Sequence, residues 1–154
     1  MFKNVCEMTA SPEQEIFQMP DVRVIGCGFR CSPIEPENDW GYYWKIYGRY
    51  EKTMAQLTSV LPLEMPVAWS GPDEEPYGYY IVGKFCPAGT PVPKDLHYRD
   101  LPASLVVKGI TGDEIAEINK KLVPQGFKTN KDWNTEIYFG QVTFRWFVPV
   151  IAIN

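Results

Sequence analysis

The sequence predicts an α+β fold in which duplicated β-α-β-β units form one domain around an antiparallel sheet. Two observations carry this. Runs of strand-like and helix-like periodicity follow the order strand, helix, strand, strand twice over. Both halves also open alike, with "MPDVRVIGCG" at 19–28 and "LPASLVVKGI" at 101–110 each running from an apolar residue and proline into β-branched residues and glycine. One copy alone cannot bury its sheet face, so the two pack as one domain. At 154 residues, 45% of them hydrophobic, the chain is long enough to do so.

The β-branched run 21–29 is the first strand, and the two-proline loop "CSPIEPEND" follows it. Asp39 is placed to cap a long helix near 40–59, on which Tyr43, Tyr47, Tyr50, Met54 and Leu57 form one stripe at steps of three and four. The prolines of "LPLEMP" end it. Residues 67–70 and 79–85 make the returning strand pair around the polar turn "GPDEEPYG", whose acidic residues read as solvated. "CPAGTPVPKDLHYRD" reads as an extended connection. A strand at 101–110 opens the second unit, and Thr111 and Glu114 stand at capping-box spacing before a helix with Ile115, Ile118 and Leu122 on one face. Strands 134–140 and 144–153 close the chain, with Pro149 marking an edge or a bend in the last.

Composition narrows the function. The net charge of −4 and the lack of a basic stripe argue against direct nucleic-acid binding. No stretch reads as a signal peptide or a membrane span. Four cysteines without framework or metal-ligand spacing read as small apolar residues in a reducing cytoplasm. No cofactor or metal is expected. Gly26-Cys27-Gly28 lacks the third glycine of a dinucleotide loop, and the one histidine, His97, falls in a polar loop, which speaks against a catalytic triad.

Nine Tyr, eight Phe and five Trp are the unusual feature. They serve either an aromatic core or a cavity that uses their polar edges. Glu136 focuses the choice. In "WNTEIYFG", Asn134, Glu136 and Tyr138 share one strand face, while Thr135, Ile137 and Phe139 form the core face. The carboxylate either meets water or floors an aromatic pocket that favours a cationic ligand. The second reading assembles Tyr43, Trp44 and Tyr47 from the helix, Trp69 and Tyr80 from the middle strands, and Trp133 and Tyr138 around Glu136.

The segments "EIFQMPDVRVIGCGF" (15–29), "YYIVGKFCPAG" (79–89), "LPASLVVKGI" (101–110), "TEIYF" (135–139) and "FVPV" (147–150) together resemble the GyrI-like small-molecule-binding domains, or AraC-type effector-binding domains, in stand-alone form. The resemblance covers 15–154 and leaves 1–14 as an N-terminal extension. It implies a central groove for bulky aromatic, often cationic, compounds, with Glu136 as its acidic residue and Tyr138 beside it. It also implies a cytoplasmic monomer or homodimer engaged in multidrug-type sensing, sequestration or transcription regulation. Two alternatives come with it. One is a hydrolase of cyclopropane-bearing electrophiles in which Glu136 and Tyr138 activate water, and the other is a gyrase-inhibitor-like protein-binding module.

Overall fold

The computed structural model describes residues 2–9, 11–63, 65–139 and 143–153, and only the backbone of Phe139, Thr143 and Phe144. Gly140, expected at the end of a strand, lies outside the described residues. The strands are β1 (Lys3–Asn4), β2 (Glu15–Met19), β3 (Val22–Cys31), β4 (Val67–Pro72), β5 (Gly78–Pro87), β6 (His97–Leu101), β7 (Ser104–Ile110), β8 (Phe127–Thr129), β9 (Asn134–Phe139) and β10 (Thr143–Ala152). The helices are α1 (Trp40–Gly48), α2 (Glu51–Ala55) and α3 (Ile115–Leu122). Among the described residues no helix is long and apolar enough to cross a membrane.

The sheet runs β1-β2-β7-β10-β9-β4-β5-β3-β6, with β8 also on β10. Every pairing except β1 with β2 is antiparallel. The two expected units are β3-α1-α2-β4-β5 and β7-α3-β9-β10, and their strands mirror each other across the β4–β9 pairing. The strand ahead of each unit crosses over: β2 pairs with β7, and β6 with β3.

Helices cover one face. Tyr47 of α1 and Met54 of α2 cluster with Ile25, Cys27, Val82 and Cys86 of the sheet; Ile118 and Leu122 of α3 cluster with Val107, Ile110 and Val148. On the other face the sheet curls over its own core. Phe85 of β5 and Phe147 of β10 lie three strand spacings apart, about 14 Å if the sheet were flat, yet their rings approach to 6.0 Å.

Several local expectations change. The long helix breaks after Gly48, a weak helix former. The Tyr50 N–H bonds back three residues to Tyr47, and α2 restarts at Glu51. The stripe survives the break, because Tyr43, Tyr47, Tyr50, Met54 and Leu57 all pack on the α1–α2 side. Asp39 caps α1, its carboxylate accepting from the Tyr42 N–H at 3.0 Å. The connection before 101 contains β6, and Pro102 and Ala103 separate it from β7. Pro149 lies within a central strand, not on an edge of the sheet. It pairs with Val106 of β7, and on its other side β10 passes from β9, last paired at Phe147, to β8, first paired at Val150. Its missing N–H falls at that change of neighbour. Cys27, Cys31 and Cys86 are buried thiols, but Cys6 is exposed. Asp73 is not simply solvated, since it accepts from Arg30 at 3.0 Å. Gly26 and Gly28 serve packing: a methyl on Gly26 would strike the Val82 carbonyl, and one on Gly28 the Tyr79 ring.

The N-terminal segment is tied to the domain by a buried charge. Lys108, fully buried on the core face of β7, donates to Glu15 at 2.6 Å and to the carbonyls of Thr9 and Ser11 at 3.0 and 2.9 Å. Gly109, at φ 85°, forms the bulge beside it in the β7–β10 pairing. Burial alone would raise the Glu15 carboxyl; Lys108 and Thr9 outweigh it and hold the group down to about 2. A carboxyl depressed in the folded state stabilises the fold fully above its ordinary value of 4.5, and that contribution is lost as pH falls toward 2. Lys108→Ala removes the buried partner of Glu15, leaving it Thr9 and the exposed Lys3, and is expected to cost about 3 kcal/mol in urea unfolding at pH 7, the lower end for a broken buried pair. It should also flatten the fall in stability below pH 4.5. A loss under about 1 kcal/mol would show that this ion pair does not hold the segment.

Candidate functional site

The site lies where the two units meet. In the β4–β9 pairing Ala68 stands opposite Glu136 and Ser70 opposite Asn134. On the far side of β9, Trp146 of β10 pairs with Glu136. Paired residues share a face, so Glu136 sits between a methyl group and an indole on the helix-covered side. Ala68 and Ser70 are small, and the next strand brings Val82 and Tyr80 alongside them. The row Val82, Ala68, Glu136, Trp146, Ile110 has one charged member.

α1 supplies the wall. Trp44 meets the Tyr138 ring edge-on at 5.3 Å, and its Nε1–H donates to the Tyr80 hydroxyl at 3.0 Å. Tyr43 stacks on Phe29 at 4.3 Å and lies 5.8 Å from the Tyr80 ring. Tyr47 lies 6.1 Å from Trp44. The expected residues Glu136, Tyr138, Trp44 and Tyr80 therefore form one group, with Tyr43 and Tyr47 beside it on the same helix.

Trp69 and Trp133 do not join it. Each faces the opposite side of the sheet and is buried in the core, with Trp133 packed 6.3 Å from Phe85. Strand alternation explains this: Trp69 pairs with Thr135, on the face away from Glu136, and Trp133 keeps the phase of Thr135 and Ile137. Two rings were overlooked. Trp40 lies 4.8 Å from Tyr80 and 5.6 Å from Tyr43, at the i, i+3 spacing that Trp40 and Tyr43 show in the sequence. Trp146, which flanks Glu136, was legible from alternation against Phe147 on the core face.

Tyr138 donates to Glu136 Oε2 at 3.2 Å, directly along the strand. Residues i and i+2 share a face, and the phenol is long enough to fold back. Among the described residues no basic side chain pairs with Glu136. Burial pushes its carboxyl above the ordinary range, and the Tyr138 hydroxyl opposes that rise. Burial, then the Glu136 charge, pushes the Tyr138 and Tyr80 phenols up in turn. Such a carboxylate, bordered by rings, is able to attract a cation by charge and by cation–π contact. Among the described residues no group of three or more His, Cys, Asp or Glu is placed to hold a metal ion.

No family model matches the chain, and no curated protein sequence does. Solved structures share the fold. SAV2435, solved bound to tetraphenylphosphonium, is similar at a TM-score of 0.62 and 15% identity, over 90% of this chain and 94% of that one. A candidate bacterial transcription regulation protein from Staphylococcus aureus MU50 is similar at a TM-score of 0.57 and 13% identity, over 90% and 97%. At these identities the likeness is one of fold.

A group whose folded value is raised destabilises the fold when ionised. The penalty is absent below the ordinary carboxyl value and grows as pH rises through the window above it. Glu136→Gln is therefore expected to be as stable as the parent or more stable at pH 7, with the difference closing near pH 4. Thermal unfolding at both values checks this, and a variant less stable at pH 7 would mean that the charge is compensated in the fold.

Proposed function

We propose that the protein binds bulky aromatic small molecules, cationic by preference, on the helix-covered face of the sheet around Glu136. The observation that carries this is the half-buried Glu136 carboxylate, bonded by Tyr138 and bordered by Trp44, Tyr80 and Trp146, without a basic partner among the described residues. Desolvating a carboxylate costs several kcal/mol unless something compensates. A bound cation would do so, and the surrounding rings would supply both π faces and apolar area. The shared fold with SAV2435, which was solved with a lipophilic cation, supports the same reading. It also accords with the GyrI-like resemblance, and so with sensing or sequestration of such compounds.

Calorimetric titration with tetraphenylphosphonium and a neutral relative, triphenylphosphine oxide, tests it. Glu136→Gln keeps the shape and removes the charge. It should weaken the cation by about 1–3 kcal/mol, the scale of a charge-assisted contact, and the neutral compound much less. Equal losses for both, or no binding of either by the parent, would remove Glu136 from this role.

A further inference from the structure

Trp44 also walls a second cleft, of about 650 Å³, that Glu136 does not line. Its sides are apolar: Tyr47 and Met54 from the helices, then Leu63, Met65 and Pro66 from the chain leading into β4. Met65 is an exposed large hydrophobic residue. Among the described residues two charged groups line it as well. Lys84, half-buried on β5, donates from its ammonium to the Leu57 carbonyl at 3.0 Å, which pins a positive charge in the wall. Glu51, at the start of α2, is exposed.

These charges do not cancel. Solvent screens Glu51, whereas Lys84 is partly shielded from water and acts at closer to full strength. A second cationic head entering the cleft would meet the ammonium. An uncharged aryl group would meet an indole, a phenol, two methionine side chains and a proline, surfaces that accept it readily.

We propose that this cleft is a specificity subsite, taking the uncharged aryl arm of an elongated monocation whose head sits at Glu136 and rejecting a second cationic head through Lys84. The inference rests on the cation-binding reading of Glu136, and Trp44 is the wall shared by the two places.

Three probes with one head separate the possibilities: methyltriphenylphosphonium, 4-phenylbutyltriphenylphosphonium, and the same chain ending in trimethylammonium in place of phenyl. In the parent, the phenyl arm should tighten binding about ten-fold over methyl, the scale of burying one aryl group. The trimethylammonium arm should gain nothing over methyl. Met65→Gln, at an exposed position, should remove much of the phenyl gain and leave the methyl probe unchanged. Lys84→Gln retains a donor for Leu57, and should let the trimethylammonium arm gain roughly three-fold or more. The subsite is overturned if the phenyl arm gains nothing, if Met65→Gln leaves its gain intact, or if the trimethylammonium arm binds as well as phenyl in the parent. When the methyl probe binds the parent and weakens in Glu136→Gln, the site at Glu136 stands whatever the arms do. When no probe binds, both readings fall.

Discussion

The pairing of β4 with β9 is the constraint on which the rest depends. Three register pairs, Ala68 with Glu136, Trp69 with Thr135 and Ser70 with Asn134, make the seam between the two units. The crossing strands strengthen the join, since β2, ahead of the first unit, pairs with β7 of the second, and β6, ahead of the second, pairs with β3 of the first. This geometry sets α1 and α3 on the same face, one on each side of the seam, and leaves the seam as the trough between them.

Polar groups collect at this seam on both faces. Glu136 lies on the helix side. On the core side, Trp69 Nε1 and Thr135 Oγ1, from directly paired residues, are buried without a hydrogen-bond partner among the described residues. An unsatisfied buried polar atom costs about 1–3 kcal/mol. Lys108 shows how the fold treats a buried charge elsewhere: Glu15, Thr9 and Ser11 surround it. Among the described residues Glu136 has only the Tyr138 phenol as a hydrogen-bond partner, so the fold treats the two charges differently. Sites that break local rules of this kind are where binding or chemistry is expected to reside.

The β-α-β-β order of each unit was legible because it rests on periodicity. The face shared by Asn134, Glu136 and Tyr138 was read correctly because Thr135 and Ile137 mark the core side without ambiguity. The same alternation places Trp133 in the core, yet its ring invited a pocket role that its phase forbids. Trp69 was harder. "VAWS" is too short and too weakly polar, with Ser70 its one polar residue, for alternation alone to fix its faces, and the pairing with Thr135 shows which way the indole turns. Strand β6, "HYRDL", hides because an edge strand with Arg99 and Asp100 lacks the apolar alternation of a central one. Gly48 breaks the helix inside a stripe that is unbroken, and the stripe alone predicts a single helix.

Three of the five arginines lie far from Glu136 in the sheet, and a fourth, Arg145, pairs with Ile137 on the face away from it. Arg23 is paired with Asp100 at 2.7 Å and stacks on Tyr98; Arg30 bonds Asp73 and lies over Tyr77; Arg99 lies over Tyr79 with Asp73 at 3.8 Å. All three belong to β3 or β6, at the far end of the sheet from β9. These guanidinium groups are therefore committed to acid and aromatic partners several strands away. Along the row that holds Glu136, every neighbour from Val82 to Ile110 is uncharged. With a formal net charge of −4 the chain has more acids than bases to pair, and one carboxylate left over is in itself ordinary. Such a surplus acid would ordinarily lie at the surface, where water solvates it at no cost. Here it lies half-buried at the seam, among rings.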